Sequence, residues 1–578
     1  MSRFSPKCWY GLALLALAGC GAASGPAAPA KLPALQTPPN EQLGRLVERY
    51  WDEHSGKNDA IAPQTLADSL SIERRYLAEV LNIPRDRLDP AAALTYDIFR
   101  RQRELDIEGF TFPAELLPIN PFWGMPQQFA ARASSTAVHP LSSAGYQDLL
   151  LQIDQYVRWT QQAAVNMREG IRRGYVSPRA LIQRMLPILE RLGLDDSANV
   201  FYVPLRFIPE TIKEPERGAL TKALSQSISQ KLLPANRALH DFLQQEYLPR
   251  TRAGIALSEL PLGNQWYAFR IKRAVGAALS PDEISRIGAA EVERLGSPNQ
   301  ARDGAPQVRD SALQTRDSAP PPAAAQLTGP ELASAYQAVE VQVRAAMPGL
   351  FSDMPNADFD IRTTEWLPNP ADALHYQPAG EVAPKAAALD VRAGKDAPKV
   401  SIAQFLQQGL PGHHLQIALQ QERSELPRFR RFGTEAAFTE GWGLYAVSLG
   451  EALSVYPDEP AKADAAAVEM RCAVALVVDT GIHAKGWTRA RALEYLHAHL
   501  GMEDRDAQAM IDWYAANPAD GLACMMGGLK FRALRARAQQ TLGARFDLRG
   551  FHTEVLRDGA VPLDLLEAKM KSWAEASK

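Results

Sequence analysis

Apolar residues recur at three- and four-residue spacing along much of the chain, the signature of helices with one buried face. The run Leu149, Ile153, Val157, Thr160, Ala164, Met167 and Ile171 predicts a long amphipathic helix. A second is expected after Ser177-Pro178, with Leu181, Met185, Leu186 and Leu189 on one face. The serine and the first-turn proline suit its start, and Gly193 suits its stop. Ser280-Pro281-Asp282-Glu283 predicts another start, because the serine hydroxyl and the glutamate carboxylate can each satisfy the other's backbone N–H. Alternation of the kind strands need is scarce. The pattern predicts a mainly α fold with minor β structure.

The helical pattern fails in two places. Residues 1–20 carry Arg3 and Lys7, an apolar run through Leu12, Leu14, Leu15 and Leu17, then Leu17-Ala18-Gly19-Cys20. The run is well short of the roughly 20 residues that span a bilayer, so it reads as a cleaved signal rather than an anchor. The segment resembles bacterial lipoprotein signal peptides. That resemblance implies acylation of Cys20 and a place in the cell envelope, with Gly21 favouring the outer membrane, facing the periplasm. Residues 21–39, rich in Ala, Pro and Gly, read as a flexible tether. The second failure is at 297–328, where Arg302-Asp303, Arg309-Asp310 and Arg316-Asp317 precede Pro320-Pro321-Pro322. This spacing lacks the apolar seam of a coiled coil and reads as a low-complexity insertion. It separates an N-terminal helical part, 40–296, from a C-terminal one, 329–578.

Composition narrows the function. A chain with 46% hydrophobic and 22% charged residues is ordinary for a globular protein. Its net charge of -3 supplies no basic field for nucleic acid. No later stretch is apolar enough to cross a membrane, so membrane contact is expected through the lipid anchor only. Neither a nucleotide loop nor a Gly-x-Ser-x-Gly elbow occurs. Once Cys8 leaves with the signal and Cys20 is acylated, Cys472 and Cys524 remain. A disulfide and two buried thiols are both compatible with the sequence.

Candidate chemistry concentrates in three segments: Gln407-Gln408-Gly409-Leu410-Pro411-Gly412-His413-His414, Glu440-Gly441-Trp442-Gly443-Leu444-Tyr445, and the stretch from Val478 to Trp487. Adjacent histidines, a glutamate and a distant third histidine are the residue types of a zinc hydrolase. In an unbroken helix positions 407 and 414 would lie ~10 Å apart along the axis, too far for one metal. Pro411-Gly412 supplies the distortion that could bring position 407 closer. His413, His414 and Glu440 are therefore candidate metal ligands, with zinc as the candidate cofactor; core histidines and no cofactor is the alternative. Asp479 and His483, four apart on one helix face, are a candidate catalytic pair in which Asp479 orients His483 toward a carbonyl oxygen. A structural pairing between packed helices is the alternative. His54, His139, His240, His375, His497 and His499 fall at no spacing that suggests chemistry. Trp442 and Trp487 suit either a pocket wall or the core.

With Leu117-Pro118-Ile119-Asn120 and Phe546-Asp547-Leu548-Arg549-Gly550-Phe551-His552, these motifs resemble the bacterial family called domain of unknown function 885, itself similar to thermolysin-like zinc peptidases. The resemblance implies a large helical fold with a central cleft. The family pattern reads H-E-x-x-P-G-H-H-L-Q, then E-G-W-A-L-Y-A-E. Here Gln407 and Gln408 occupy the His-Glu positions, Val447 replaces a second glutamate, and Asp520 and Cys524 replace a glutamine and a tyrosine. An amide is a poor zinc ligand and cannot accept and return a proton as a carboxylate does. The expectation is an envelope lipoprotein whose peptidase-like domain is catalytically impaired and binds peptides or an envelope component. The alternative is an active metal-dependent hydrolase of peptides or peptidoglycan-derived amides with a rearranged ligand set.

Overall fold

The expected long helix forms as α1, Ser143–Arg173, in the computed structural model. The Ser142 hydroxyl accepts the Gly145 N–H at its start, and Gly174 at φ 80° ends it in the left-handed conformation that glycine adopts without strain. Residues 37–578 are described apart from 55–60, 135–139, 297–326, 365–366, 371, 382–385 and 395–398. Cys20 with the signal peptide, nearly all of the 21–39 tether and nearly all of the 297–328 insertion lie outside the described residues. The Ser280–Glu283 capping box is present, with the Ser280 N–H donating to Glu283 Oε2 at 2.9 Å and the Glu283 N–H to Ser280 Oγ at 3.2 Å. At Arg179–Gly193, by contrast, Pro178 occupies the N-cap and Ser177 does not cap the helix.

The described chain is mainly α, with one three-stranded sheet. Its apolar clusters draw on both sequence parts: Tyr50, Tyr76 and Phe99 share one with Phe405, Trp442 and Phe551. Another joins Tyr267 and Ile271 of α2, Gly263–Val275, to Val474, Val478 and Ile482. The interruption at 297–328 thus breaks the helical pattern without dividing the core.

The sheet comprises β1 (Phe359–Thr364), β2 (Leu374–Gln377) and β3 (Ala387–Arg392), with β3 central, parallel to β1 and antiparallel to β2. In β2, Leu374 and Tyr376 are buried, which puts His375 on the opposite face. Beside β2 runs α3, Ile402–Gln408. Its Gln404 and Gln408, one turn apart, accept the Ala373 N–H at 2.6 Å and the Tyr376 N–H at 3.0 Å. These amides satisfy strand groups that have no partner in β3.

After α3 the helix breaks as Pro411 predicts, and α4, His413–Glu422, starts in a new direction. Only glycine fits at 412, where a Cβ would lie 1.9 Å from the Gln407 carbonyl oxygen. Trp442 Nε1 donates to the Pro411 carbonyl at 2.9 Å from full burial, so this tryptophan braces the break from the core. Trp487 likewise packs on helix backbone, over Gly481.

Trp442 belongs to α5, Ala436–Val447, which crosses α7, Leu522–Leu542, at a backbone-to-backbone contact. A Cβ on Gly527 would lie 1.9 Å from the Ala437 carbonyl oxygen, and one on Gly441 would lie 2.3 Å from Gly527 Cα. Between them in sequence comes α6, Glu459–Lys485. Gly527→Ala is expected to destabilise the protein by about 1–3 kcal/mol, because the extra methyl must push two core helices apart. Urea denaturation followed by helical circular dichroism measures this; a change under about 0.5 kcal/mol would show that the crossing yields freely.

Candidate functional site

The break between α3 and α4 gathers the motif residues around one recess. His413 opens α4 and Glu440 lies on α5, with Nε2 and Oε2 3.6 Å apart. Gly443 faces the same space: a Cβ there would lie 2.8 Å from His413 Nε2 and 3.1 Å from Gln407 Cγ. The distortion read from Pro411-Gly412 therefore does bring position 407 to His413. Gln407 Nε2 faces Cys524 Sγ at 4.0 Å. Cys524, on α7, is disulfide-bonded to Cys472 of α6 with 5.8 Å between Cα atoms. The disulfide forms the wall where the family pattern has a tyrosine.

The charges in the recess are unusual. Burial lowers the His413 pKa to about 4, against a backbone hydrogen bond at Thr439, so the ring is neutral at pH 7. Its Nε2 is buried with no hydrogen-bond partner. The Glu440 side chain keeps 41% of its exposure and is open to water in a recess. The protein around it still desolvates it, and this, with Asp520, raises its pKa to about 7. Burial raises Asp372 to about 6, with Arg471 opposing and Glu440 adding. Burial, then His413, lowers His375 to about 4. The His375 ring stands 6.4 Å from that of Trp123, which is 44% exposed. Sequence spacing missed His375, Asp372 and Trp123. A four-residue strand shows its alternation only through Leu374 and Tyr376, too few positions to mark His375 as facing a site.

Other expected site residues lie elsewhere. His414 turns away from Glu440: its Nε2 donates to the Ala357 carbonyl at 3.2 Å, and its Nδ1 accepts the Tyr376 hydroxyl at 3.1 Å. It fastens β2 and is not placed as a metal ligand. Asp479 does not bond to His483. It accepts the Tyr267 hydroxyl at 2.5 Å and the Ala519 N–H at 3.1 Å. His483 Nδ1 accepts the Leu257 N–H at 3.0 Å, and its Nε2 donates to the Tyr514 carbonyl at 3.0 Å. Both side chains are fully buried. With both ring nitrogens engaged, His483 has no atom left for a carbonyl oxygen, and the pair ties loops to α2 and α6 instead. Through Ala519, Asp479 also sets the turn carrying Asp520 toward Glu440.

His483→Ala is expected to cost about 2–4 kcal/mol at neutral pH, since the Leu257 N–H and Tyr514 carbonyl are left unpaired beside a cavity. Burial lowers the folded pKa of His483 from 6.5 to about 3. Below pH 6.5 the unfolded chain protonates this ring and the folded chain does not, so its contribution is present above that pH and is lost toward pH 3. The gap between wild type and variant should narrow by up to about 1.4 kcal/mol per pH unit below that pH and close within the window. A gap independent of pH in urea titrations would contradict this.

A zinc hydrolase needs three ligands, an open position and a base for the bound water. Here His413 and Glu440 supply two donors, position 407 presents an amide, and the Gln408 amide is engaged with Tyr376. Among the described residues no three His, Cys, Asp or Glu side chains are grouped to hold a metal ion. The described residues at this recess fall one donor short of the set a zinc hydrolase uses. They form an acceptor-rich recess instead.

Comparison with known proteins agrees with this architecture. The family model described as "Bacterial protein of unknown function (DUF885)" matches residues 42–570. No curated protein matches the chain. Similar solved structures include two described as a "putative lipoprotein", the second "of unknown function". The one from Colwellia psychrerythraea has a TM-score of 0.80 and 22% identity over 93% of this chain and 100% of its own. The one from Shewanella oneidensis has a TM-score of 0.62 and 14% identity over 92% of this chain and 98% of its own. At such identities the likeness bears on the fold alone. Because the family match spans almost the whole described chain, the protein belongs to this family of bacterial proteins of unknown function.

Proposed function

We propose that this chain is an envelope lipoprotein that binds peptides in the recess between α3, α4 and α5 without hydrolysing them. The lipoprotein reading rests on Leu17-Ala18-Gly19-Cys20 and on the description carried by its structural relatives. No helix among the described residues is long and apolar enough to cross a membrane, which accords with an anchor at Cys20. The resemblance to zinc peptidases supplies peptides as the ligand class.

One observation carries the non-hydrolytic part: Gln407 stands at His413 and Glu440 where a third zinc ligand is required, and its neighbour Gln408 is bonded to β2. Without a metal-bound water or a free carboxylate base at 408, the recess retains contacts for a ligand and lacks the means to activate water. A rearranged ligand set is the competing reading, favoured by His375 standing beside His413.

Equilibrium dialysis of short labelled peptides, followed by mass spectrometry of the same peptides, separates the two. The expected result is retention of intact peptides, lost in Gly443→Leu, whose side chain fills the space beside His413. The variant's unfolding transition serves as the check on folding. No retention by wild type, or cleaved peptides, would overturn the proposal.

A further inference from the structure

Among the described residues, Glu440 is a carboxylate of the recess without a countercharge. Asp520 pairs with Arg270 at 3.1 Å, and Asp372 lies near Arg471 and Arg392. Glu440 faces His413, with the carboxylates of Asp520 and Asp372 near it, and no lysine or arginine among the described residues pairs with it. Acidic side chains alone would say nothing about a ligand. The second observation is His413 itself, whose side chain is 7% exposed and whose Nε2 has no partner while facing Glu440. A buried polar atom without a partner costs about 1–3 kcal/mol, so such an atom at the edge of an open recess marks a place where a ligand donor is missing.

The surroundings define that donor. A backbone hydrogen bond at Thr439 engages the ring, and with that proton on Nδ1 the unpartnered Nε2 presents its lone pair. Gln407 turns Nε2 toward the disulfide, and no hydrogen bond from a described residue reaches its Oε1. Two acceptors therefore face each other across 3.6 Å, His413 Nε2 and a Glu440 carboxylate oxygen, with the Gln407 side chain beside them at Gly443. An ammonium group has N–H donors, no acceptor and a positive charge, and complements this pair in kind and in sign. A planar guanidinium with five donors exceeds it, and a carboxylate or phosphate would meet only acceptors.

From this juxtaposition we infer that the recess captures the primary ammonium group of a peptide ligand, held by Glu440 and His413. The inference rests on the peptide-binding reading above and specifies the chemical handle by which the peptide is held. Its source is either a peptide amino terminus or a lysine side chain, which offer the same group.

The test is calorimetric titration of the full chain with three peptides: trialanine with a free amino terminus, N-acetyl-trialanine amide, and N-acetyl-Ala-Lys-Ala amide. At least one amine-bearing peptide should bind about tenfold or more tightly than N-acetyl-trialanine amide, the scale of a charge-assisted hydrogen bond. Trialanine as the preferred ligand assigns the amino terminus, and the lysine peptide assigns the side chain. Glu440→Gln, isosteric and partly solvent-exposed, should remove about tenfold of that preference. Equal affinity for all three peptides overturns the ammonium site and leaves peptide binding standing. Failure of all three to bind overturns both. An unchanged amine preference in Glu440→Gln overturns the assignment to this carboxylate, and the acetylation comparison needs no variant to fold.

Discussion

Replacing Cys472 and Cys524 with alanine is expected to lower the unfolding free energy by about 4 kcal/mol, from the loop-closure entropy that a cross-link across 52 residues removes from the unfolded chain. This is the largest single stability effect expected here. The bond joins α6 to α7 beside Gln407, so its loss also frees the wall against which that amide packs. Peptide affinity should therefore fall along with stability. Urea unfolding of wild type under oxidising conditions, beside the double variant, gives the number. A difference under about 1 kcal/mol would show that core packing alone holds the two helices in register.

Gln407→His combined with Gln408→Glu is expected to raise zinc affinity by about a hundredfold, equivalent to about 2.7 kcal/mol. An imidazole at 407 would enter the space bordered by His413 and Gly443 and meet Glu440 there, completing three ligands. Glutamate at 408 keeps an acceptor for the Tyr376 N–H, so β2 should stay in place. Competition with a chromogenic chelator reads the affinity directly. Zinc bound without turnover would assign the remaining loss of activity to Val447, Asp520 and Cys524. No gain in affinity would mean that position 407 cannot reach the metal geometry, and the account of the helix break would be wrong.

What could be read in the sequence was local. The 3.6-residue period over Ser143–Arg173 and the Ser280–Glu283 box require only neighbouring residues, and both are found. Pro411-Gly412 announces a break because proline lacks an N–H and glycine alone fits against the Gln407 carbonyl. The direction taken after the break is tertiary: Trp442, held by α5, sets it from 31 residues away. For that reason the sequence could not say which of His413 and His414 enters the recess. Asp479 and His483 share a helix face, as four-residue spacing demands, yet their partners Tyr267, Leu257, Tyr514 and Ala519 come from other segments. His375 escaped notice because its strand gains meaning only beside α3. The pairing of Cys472 with Cys524 depends on two helices meeting, which no spacing rule describes.

The central claim is that the recess keeps a ligand site and lacks a hydrolytic metal centre. The most direct measurement is zinc content of the wild-type chain after loading with zinc and exhaustive dialysis, with peptide cleavage assayed on the same sample. The account predicts far less than one zinc per chain and no cleavage above the rate in buffer. One tightly held zinc per chain, together with cleavage that a chelator abolishes and zinc restores, would contradict it.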